Sequence, residues 1–403
     1  MNAVFTPSVP RGHVTVPASK SWAHRLLIGA AFAAGESDIR NVAFSQDILA
    51  TMDCLQALGA SFHADGTTVF VRGGGVPAAY PLLPCRESGS TLRFLIPAAL
   101  RFGGGTFCGT SRLLDRGVGI YETLLRGSVD FQRISDTQLR VSGQLHSGAF
   151  AVPGDVSSQF ISGLLFALPM LPGDSVLTVV PPFESRGYVD LTLDAMRRFC
   201  IRVDRTGDSF FVPGGQAYQA ADETVEGDWS QAAFFCAMNA LGGEIRLDGL
   251  NAASLQGDRV CQALLARIQL GYTEADLADC PDLAPVLFAA AAACGHGAKF
   301  TGTRRLMIKE SNRASVMARE LAKFGAQISV AENTVAVSPC ILHAPDEPLS
   351  GSNDHRIVMA LSVLAMRTGG TIHGAEAVSK SYPDFFEALQ ALGVAVHITD
   401  KGA

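Results

Sequence analysis

With 403 residues, of which 48% are hydrophobic and 17% charged, the chain is long enough for two or three domains and is unlike a disordered protein. Its formal net charge of -6 argues against a nucleic-acid-binding protein, which usually carries a basic surplus, although a local basic pocket is compatible with it. No stretch is apolar over the roughly 18 residues that a membrane-spanning helix requires, and we expect no signal peptide. The nine cysteines form no CxxC pair, which predicts reduced thiols, a cytoplasmic protein and no metal site.

The most regular feature of the sequence is a helix that ends near a glycine or small residue and leads into a strand. This pattern stands at 55–62, 124–131, 196–204, 264–272, 320–330 and 389–398, the copy at 264–272 being the weakest. Its recurrence about every 70 residues predicts six repeated units. The interval that ends at the fifth copy, 320–330, is shorter than the others, so we expect the fifth unit to lack a β-hairpin. Chance similarity between helix ends in an ordinary α/β protein is the alternative interpretation.

Local signals inside these units alternate between helix and strand. Apolar periodicity predicts helices over 45–58, with Asp47 in the first turn, and over 189–199. Runs of β-branched residues predict strands at 69–71, 177–180 and 334–337. Six units at near-regular spacing favour two pseudo-symmetric lobes of three units, and a cleft between such lobes is a common ligand site.

Basic and hydroxyl side chains collect where loops enter helices. In chain order these segments read VPASKSWAHRLL, CRESGSTLRFLIP, SRLLDRGVG, PGDVSSQFISGLL, PPFESRGYVD, DCPDLAPVL, RRLMIKESNR, SNDHRIVMAL and SKSYPDFFEAL. Taken singly, each is compatible with a helix cap or a solvated helix face; capping is the default for Asp282, and a solvated face for Arg112 and Arg116. Their dispersal over equivalent places in the repeat instead indicates one cleft, lined by helix starts, that holds two highly charged phosphates.

The densest of these segments is RRLMIKESNR. It contains four cations and a single carboxylate, Glu310. An ion-paired surface and a general acid–base group held beside an anionic substrate are both compatible with this pattern.

Ten short motifs follow one another in the order of a known family. They are PASKSWAHR, RESGSTLRFLIP, RLLDRG, DVSSQF, ESRGYVDLTL, SLQGD, CPDLAP, IKESNR, NDHRIVMAL and KSYPDFF, and together they resemble the 5-enolpyruvylshikimate-3-phosphate (EPSP) synthases. The resemblance covers nearly the whole chain and implies the inside-out α/β barrel fold of the enolpyruvyl transferases, with six β-α-β-α-β-β units in two pseudo-symmetric lobes. It implies one lobe at 18–226, on the shikimate 3-phosphate side, and a discontinuous lobe at 1–17 and 227–403 that contains the shortened unit.

The resemblance also implies a reaction, in which the enolpyruvyl group of phosphoenolpyruvate moves to the 5-hydroxyl of shikimate 3-phosphate. Phosphate leaves from a tetrahedral intermediate, as part of aromatic amino-acid biosynthesis. The residues implied to bind shikimate 3-phosphate are Ser21, Arg25, Ser157, Ser158, Gln159, Ser185, Tyr188, Asp282 and Lys309. Those implied to bind phosphoenolpyruvate are Lys20, Gly89, Arg116, Gln159, Arg313, Arg356 and Lys380. The candidates for proton transfer are Asp282, Glu310, Lys20 and His355.

The implied chemistry accounts for this set of residues. The attacking hydroxyl loses a proton while the enol methylene gains one, so at least two positioned acid–base groups are needed. Converging Arg and Lys side chains offset the repulsion between two anionic substrates. We expect no metal or organic cofactor, no nucleic-acid or membrane partner, a monomer, and closure of the lobes to assemble the site.

Three other functions compete with this interpretation. The sister enolpyruvyl transferases that act on a UDP-amino sugar pair their N-terminal Lys with Asn and carry a reactive Cys on a loop, whereas here Ser21 follows Lys20 and the segment 111–117 has no Cys. A non-catalytic binding protein would have lost the proton-transfer candidates, which are all present. An RNA-end-processing enzyme of similar units would be basic, unlike this acidic chain.

Overall fold

The computed structural model describes residues 1–399, which form two compact units. The central unit, named for its place in the sequence, is Ala18–Glu226, and the composite unit combines Met1–Pro17 with the chain from Gly227 onward. Each unit has its own buried apolar core. Among the described residues, no helix has both the length and the apolar character needed to cross a membrane.

Helices and strands are interspersed along the whole described chain. The composite unit begins with β1 (Asn2–Phe5) and β2 (Arg11–Thr15). The central unit contains α1 (Lys20–Phe32), β3 (Gly35–Arg40), α2 (Gln46–Ala57), β4 (Ser61–Asp65), β5 (Thr68–Gly73), β6 (Leu82–Arg86), α3 (Gly89–Ala99), β7 (Gly104–Gly109), α4 (Ser111–Asp115), α5 (Gly119–Leu124), β8 (Val129–Ser135), β9 (Gln138–Gly143), β10 (Ala149–Pro153), α6 (Ser158–Ala167), β11 (Ser175–Val180), α7 (Arg186–Arg198), β12 (Asp204–Thr206), β13 (Ser209–Val212) and β14 (Glu223–Thr224). The composite unit continues with α8 (Trp229–Ala240), β15 (Glu244–Asp248), α9 (Cys261–Leu270), β16 (Thr273–Asp276), α10 (Ala284–Cys294), β17 (Ala298–Thr301), α11 (Arg313–Ala322), β18 (Ile328–Ala331), β19 (Thr334–Val337), β20 (Leu349–Ser350), α12 (His355–Thr368), β21 (Gly370–His373), α13 (Phe385–Ala391) and β22 (Val396–Thr399). Short 3-10 turns lie at Leu100–Phe102, Leu168–Met170, Gly257–Val260, Pro281–Leu283, Arg304–Ile308 and Ala375–Lys380.

The central unit has three four-stranded sheets of the same design. Their strand orders are β14-β3-β5-β4, β6-β7-β9-β8 and β10-β11-β13-β12. In each sheet the first two strands are parallel, and the last two form an antiparallel hairpin. Parallel neighbours need a crossover connection, which α3 supplies between β6 and β7 and α6 between β10 and β11. In the first sheet the parallel partner of β3 is instead β14, from the end of the central unit, so all three sheets have the strand arrangement of a β-α-β-α-β-β unit. The predicted repetition of α/β units is therefore confirmed.

The composite unit repeats the design with strands from distant parts of the chain. Its four-stranded sheets are β16-β17-β19-β18 and β20-β21-β1-β22, and a two-stranded sheet pairs β2 with β15. The N-terminal strand β1 lies antiparallel to both β21 and β22 and so completes the sixth unit. The unit without a hairpin is the fourth, because α9 leads almost directly into β16, the first strand of the next unit. The prediction of a shortened fifth unit was therefore wrong by one, since the short interval follows the weak copy at 264–272.

The ends of the helices follow the predicted pattern with one difference. Gly59 and Gly393 follow α2 and α13 with φ of +106° and +79°, the left-handed turn that glycine makes without a steric penalty. Cys200 adopts the same turn after α7 with φ of +62°, although it carries a side chain. The helix predicted over 189–199 begins earlier, at Arg186, because its first turn is polar and is invisible to an apolar pattern.

The cores are built around helices that are apolar on most faces. In α6 and α10 almost every residue is buried, and α3 and α12 are buried over nearly their full length. A helix that is apolar all round packs inside a protein, so only its ends reach polar surroundings. Four of the polar segments identified in the sequence stand at the starts of these helices.

Candidate active site

The first part of the site lies in the central unit, where α1 and α2 begin. Ser19 caps α1 and Ser45 caps α2, each through its side-chain oxygen. Lys20 in the first turn of α1 donates from Nζ to Oδ2 of Asp47 at 2.7 Å. The side chains of Lys20 and Asp47 are 16% and 14% exposed, so the pair is held in place yet reachable by a ligand.

A second group of contacts joins the start of α3 to α6 and to the end of α4. Arg93 donates from Nη1 to Oε1 of Gln159 at 2.7 Å and from Nη2 to the carbonyl of Arg116 at 3.2 Å. Gln159 donates from Nε2 to Oγ of Ser90 at 2.9 Å. A Cβ placed on Gly89 would lie 3.3 Å from the guanidinium nitrogens of Arg116. The structure thus brings together Gly89, Arg116 and Gln159, with Arg93 as the residue that links them.

The name central cluster is used below for six residues, which are Lys20, Asp47, Gly89, Arg93, Arg116 and Gln159. The interpretation of α4 as a solvated face fits Arg112, which is exposed. It does not fit Arg116, which is half-buried against Gly89.

Arg25 organises a neighbouring part of the central unit. Its guanidinium donates from Nη1 to the carbonyl of Ser21 at 2.5 Å, from Nη2 to the carbonyl of Tyr188 at 2.8 Å and from Nε to Oγ1 of Thr192 at 2.8 Å. Burial lowers the pKa of Arg25 to about 10, so it stays charged at neutral pH. Ser21 and Tyr188 are therefore joined through the Arg25 cation, and all three residues were predicted to bind shikimate 3-phosphate.

The three predicted serines lie at the starts of α6 and α7. Ser157 caps α6, since its Oγ accepts from the backbone N–H of Gln159 at 3.3 Å, and the adjacent Ser158 is buried. Ser185 precedes α7 in the left-handed region, with φ of +57° and ψ of +39°, and its side chain makes no capping hydrogen bond. A non-glycine residue in that region costs about 1 to 2 kcal/mol, and such strain is concentrated at functional sites.

In the composite unit, Asp282 is the common acceptor of three cations. It stands in the 3-10 turn before α10 and accepts from Lys309 Nζ at 3.2 Å, Arg313 Nη1 at 2.8 Å and Arg356 Nη2 at 3.0 Å. Burial alone would raise the pKa of Asp282, but Arg356, Lys309 and Arg313 hold it well below its ordinary value. Asp282 is therefore a carboxylate at neutral pH that binds three cations, and capping alone does not describe it.

Arg313, at the start of α11, is surrounded by carboxylates. Its side chain is only 1% exposed. Besides Asp282, it donates from Nη2 to Oε2 of Glu310 at 2.6 Å and from Nε to Oδ2 of Asp354 at 2.9 Å. Burial opposes the charge of Arg313, but Asp354, Glu310 and Asp282 raise its pKa above the ordinary value. Glu310 is thus an acid–base candidate fixed by a charged hydrogen bond and not a member of a loose surface ion pair.

The start of α12 supplies the remaining predicted residues. Asp354 caps the helix, since its Oδ1 accepts from the backbone N–H of Arg356 at 3.0 Å. His355 is buried, with Nδ1 4.0 Å from Oδ1 of Asp354. Lys380 donates from Nζ to the carbonyl of Asn353 at 2.6 Å. His355 and Lys380 are therefore placed around the same helix start as Arg356.

Burial lowers the pKa of the Lys309 ammonium, and Arg313 adds to this while Asp282 opposes it. Lys309 and Glu310, together with Asp282, Arg313 and Arg356, are called the composite cluster below. No group of three or more His, Cys, Asp or Glu side chains is placed to hold a metal ion in the part of the chain that the structure describes.

Asp258 is a residue near this cluster that the sequence did not single out. It lies in the 3-10 turn before α9, is 2% exposed, and accepts a short hydrogen bond from the hydroxyl of Ser230 through Oδ2. Burial raises its pKa to about 6; the negative charge of Asp282 adds to this, and Arg356 opposes it. The motif SLQGD contains Asp258 and was its only signal. Asp47 was noted only as an acidic residue in the first turn of a predicted helix, and Arg93 only as part of the motif RESGSTLRFLIP.

Comparison with solved structures defines the class of the fold. An EPSP synthase from Acinetobacter baumannii matches with a TM-score of 0.77 and 23% identity, covering 99% of this chain and 100% of that one. An enolpyruvyl transferase from Streptomyces tendae matches with a TM-score of 0.74 and 16% identity, covering 98% of each chain. At these identities the likeness shows the fold alone, which is that of the enolpyruvyl transferases, and the predicted fold class is confirmed.

Sequence comparisons identify the family. The model of the family described as EPSP synthase (3-phosphoshikimate 1-carboxyvinyltransferase) matches residues 6–389. A curated relative from Clostridium kluyveri with the name 3-phosphoshikimate 1-carboxyvinyltransferase is 38% identical, over 96% of both chains. Another with that name, from Clostridium acetobutylicum, is 37% identical over 98% of this chain and 99% of its own. The chain belongs to the EPSP synthase family, and the resemblance found in the sequence is confirmed.

Proposed function

We propose that this chain transfers the enolpyruvyl group of phosphoenolpyruvate to the 5-hydroxyl of shikimate 3-phosphate, and that the central and composite clusters are the groups that carry out this reaction. The family supports the reaction. The observation that carries the assignment to residues is Asp282, a carboxylate with Lys309, Arg313 and Arg356 around it and with Glu310 on the other side of Arg313. The same set contains cations for two anionic substrates and carboxylates for two proton transfers.

Asp282 is the proposed acceptor of the proton that the attacking 5-hydroxyl releases. In the described structure three cations make it a weak base. An anionic substrate that binds to Lys309, Arg313 or Arg356 shares their charge, which raises the pKa of Asp282 toward the value that proton transfer needs. Substrate binding thus prepares the base, and the carboxylate stays unreactive before the substrates arrive.

Glu310 is the proposed donor of the proton that the enol methylene gains. Its Oε2 is bound to Arg313, which fixes the direction of the carboxyl group. Lys20 and His355 are proposed to assist, the first through the charge it places beside Asp47 and the second from the start of α12. The cation that develops at C2 of the enol is balanced by these carboxylates, and the departing phosphate by the Arg and Lys side chains.

Binding of phosphoenolpyruvate is proposed for Lys20, Gly89, Arg116, Gln159, Arg313, Arg356 and Lys380. The approach of Arg116 to Gly89 supports this, because a residue without a side chain lets the guanidinium lie close to the start of α3, where backbone N–H groups also favour an anion. Binding of shikimate 3-phosphate is proposed for Ser21, Arg25, Ser157, Ser158, Gln159, Ser185, Tyr188, Asp282 and Lys309. The contacts of Arg25 with Ser21 and Tyr188 support the second group.

The enzyme is further proposed to act as a monomer in the cytoplasm, with the residues 18–226 forming the lobe on the shikimate 3-phosphate side. All nine cysteines are free thiols, which supports a reducing compartment.

A phosphate-release assay tests the reaction, with each substrate omitted in turn. We expect phosphate only when both phosphoenolpyruvate and shikimate 3-phosphate are present, in a one-to-one ratio with an enol-ether product seen by mass spectrometry. A parallel reaction replaces shikimate 3-phosphate by UDP-N-acetylglucosamine. Release of phosphate with the UDP-sugar alone would assign the chain to the sister reaction and refute the proposal.

A further inference from the structure

A buried chain of four polar side chains connects α1, α2 and α3 in the central unit. Nδ1 of His24 on α1 lies 2.7 Å from Oγ1 of Thr51 on α2, and this oxygen lies 2.6 Å from Oγ1 of Thr91 on α3. Thr91 donates to Oγ of Ser88, the residue before α3, at 2.7 Å. All four side chains are buried beside the apolar core of the central unit.

The direction of these hydrogen bonds follows from the number of hydrogens available. Because Thr91 uses its only hydroxyl hydrogen toward Ser88, Thr51 must donate to Thr91, and His24 must then donate from Nδ1 to Thr51. Burial, and then the charges of Lys20 and Arg25, lower the pKa of His24 well below its ordinary value, so the ring is neutral. Nε2 is then a bare lone pair, in agreement with its having no hydrogen-bond partner within residues 1–399.

The chain of hydrogen bonds ends at the helix start that carries Gly89. Ser88 caps α3, because its Oγ accepts from the backbone N–H of Thr91 at 3.2 Å. All the donated hydrogens point from His24 toward Ser88, so the bond dipoles add to the positive end of the α3 dipole. The oxygen of Thr91 also lies 3.5 Å from the carbonyl of Asp47, whose carboxylate binds Lys20.

We infer that His24, Thr51 and Thr91 are positioning residues for phosphoenolpyruvate, which fix the start of α3 relative to Lys20 and Asp47 without touching the substrate. This inference rests on the proposed binding of phosphoenolpyruvate by Lys20 and Gly89. An apolar core at this place would be about as stable, since a buried hydrogen bond contributes only about 1 kcal/mol net. The hydrogen bonds of the buried polar chain are directional, so they select one relative position of α1, α2 and α3. Close-packed methyl groups would leave that position less defined.

A second buried network offers a matched comparison on the same helix. Arg25, the residue after His24, donates from Nε to Oγ1 of Thr192 on α7, and Thr192 in turn bonds Oγ of Ser162 on α6 at 2.7 Å. This network orders the cation that joins Ser21 and Tyr188, which are proposed to bind shikimate 3-phosphate. Adjacent residues of α1 therefore enter two separate networks, each assigned to a different substrate.

The test compares Thr51→Val with Thr192→Val, which have nearly the same volume and each lose one buried hydroxyl. Thr51→Val should raise the KM for phosphoenolpyruvate by about 5- to 30-fold, the effect of about 1 to 2 kcal/mol, with the KM for shikimate 3-phosphate changed less than about twofold. Thr192→Val should show the reverse pattern. Thr51→Ser, which keeps the hydroxyl, should restore the KM for phosphoenolpyruvate.

Two outcomes would overturn the inference. One is a Thr51→Val protein that is folded and shifts both KM values equally or neither, and the other is a failure of Thr51→Ser to restore binding. If Thr51→Val does not fold, His24→Phe removes the first donor with a ring of similar size and must give the same selective rise. A parent protein that turns over neither substrate would instead refute the proposed function, which separates the two failures.

Nitrogen NMR of the histidines provides a readout that needs no substrate. The inference requires a neutral His24 ring with its proton on Nδ1 and a hydrogen-bonded signature that disappears in Thr51→Val. A proton on Nε2 would reverse the chain of hydrogen bonds and contradict the inference.

Discussion

Replacement of Asp258 by Asn should stabilise the composite unit at neutral pH. The folded protein buries this carboxyl group and places the negative charge of Asp282 near it, and together these raise its pKa from 3.8 to about 6, although Arg356 opposes the change. At about 1.4 kcal/mol per pH unit, ionisation of Asp258 in the folded state costs about 3 kcal/mol at pH 7.5. Asn carries no charge and still offers an oxygen to the hydroxyl of Ser230, so it avoids this cost.

The pH dependence follows from the direction of the pKa change. Because the folded pKa of Asp258 lies above the unfolded value, the folded protein takes up the proton first as the pH falls through about 6. As the pH falls, the penalty of the parent protein shrinks from about 3 kcal/mol at pH 7.5 to roughly half of that at pH 5. The advantage of Asp258→Asn should therefore fall by about half between these two pH values.

The two tryptophans make this measurement specific. Trp229 lies beside Ser230 in the composite unit, while Trp22 belongs to the central unit. In a Trp22→Phe background, urea unfolding followed by tryptophan fluorescence reports the unit that contains Asp258. A variant that is destabilised at pH 7.5, or one whose advantage is equal at pH 7.5 and pH 5, would refute the reasoning.

A matched control is available in the central unit. Burial would raise the pKa of Asp194, but hydrogen bonds from Arg197 and Arg198 lower it below its ordinary value. The same Asp→Asn change at Asp194 should therefore reduce stability at pH 7.5, and its effect should vanish only as the pH falls below the ordinary carboxyl range. Trp22 reports this transition in a Trp229→Phe background.

Three further substitutions test other parts of the structure. Glu310→Gln keeps a hydrogen-bond acceptor but loses the acid–base group, so kcat should fall by about 10²- to 10⁴-fold while shikimate 3-phosphate still binds in calorimetry; full activity would remove Glu310 from the mechanism. Arg116→Ala should raise the KM for phosphoenolpyruvate by about 10-fold or more in steady-state kinetics, since a charged hydrogen bond contributes about 1.5 to 3 kcal/mol, and an unchanged KM would contradict its role. Gly29→Ala should lower stability in urea by about 1 to 3 kcal/mol, because its Cβ would lie 2.3 Å from the buried ring of Phe199. Gly271→Ala, where nothing lies within 4 Å of the new Cβ, is its control and should be nearly neutral; equal losses would refute the packing argument.

The repeated α/β design could be predicted because each unit contains the same local sequence pattern, a helix that ends near a small residue and leads into a strand. The turn after each helix needs a special backbone conformation, and glycine at places such as Gly59 and Gly393 marks it. The pairing of β1 with β21 and β22 could not be predicted, because a strand of four residues carries no information about a partner hundreds of residues away. The prediction of which unit is shortened was wrong for a similar reason, because the spacing of helices does not show to which sheet a strand belongs.

Much of the candidate site could be predicted as a set of residues but not as a set of contacts. Motifs pointed to Asp282, but only the fold shows that its carboxylate accepts hydrogen bonds from Lys309, Arg313 and Arg356. The contact of Arg93 with Gln159 and the raised pKa of Asp258 both depend on tertiary packing. The identity of one residue in the sequence does not show whether its side chain is buried. Burial acts to raise the pKa of both Asp258 and Asp282, but the net change is opposite, because Arg356, Lys309 and Arg313 surround Asp282.

The fourth and sixth units each combine an N-terminal strand with strands from much later in the chain, and this has a consequence for biosynthesis. β2 pairs with β15, and β1 with β21 and β22, so the segment from Asn2 to Thr15 leaves the ribosome long before its partners exist. The central unit is continuous, and it can mature while the downstream chain is still being translated. Order of synthesis and order of assembly are thus reversed at the amino end, where the earliest residues are the last to find a permanent place.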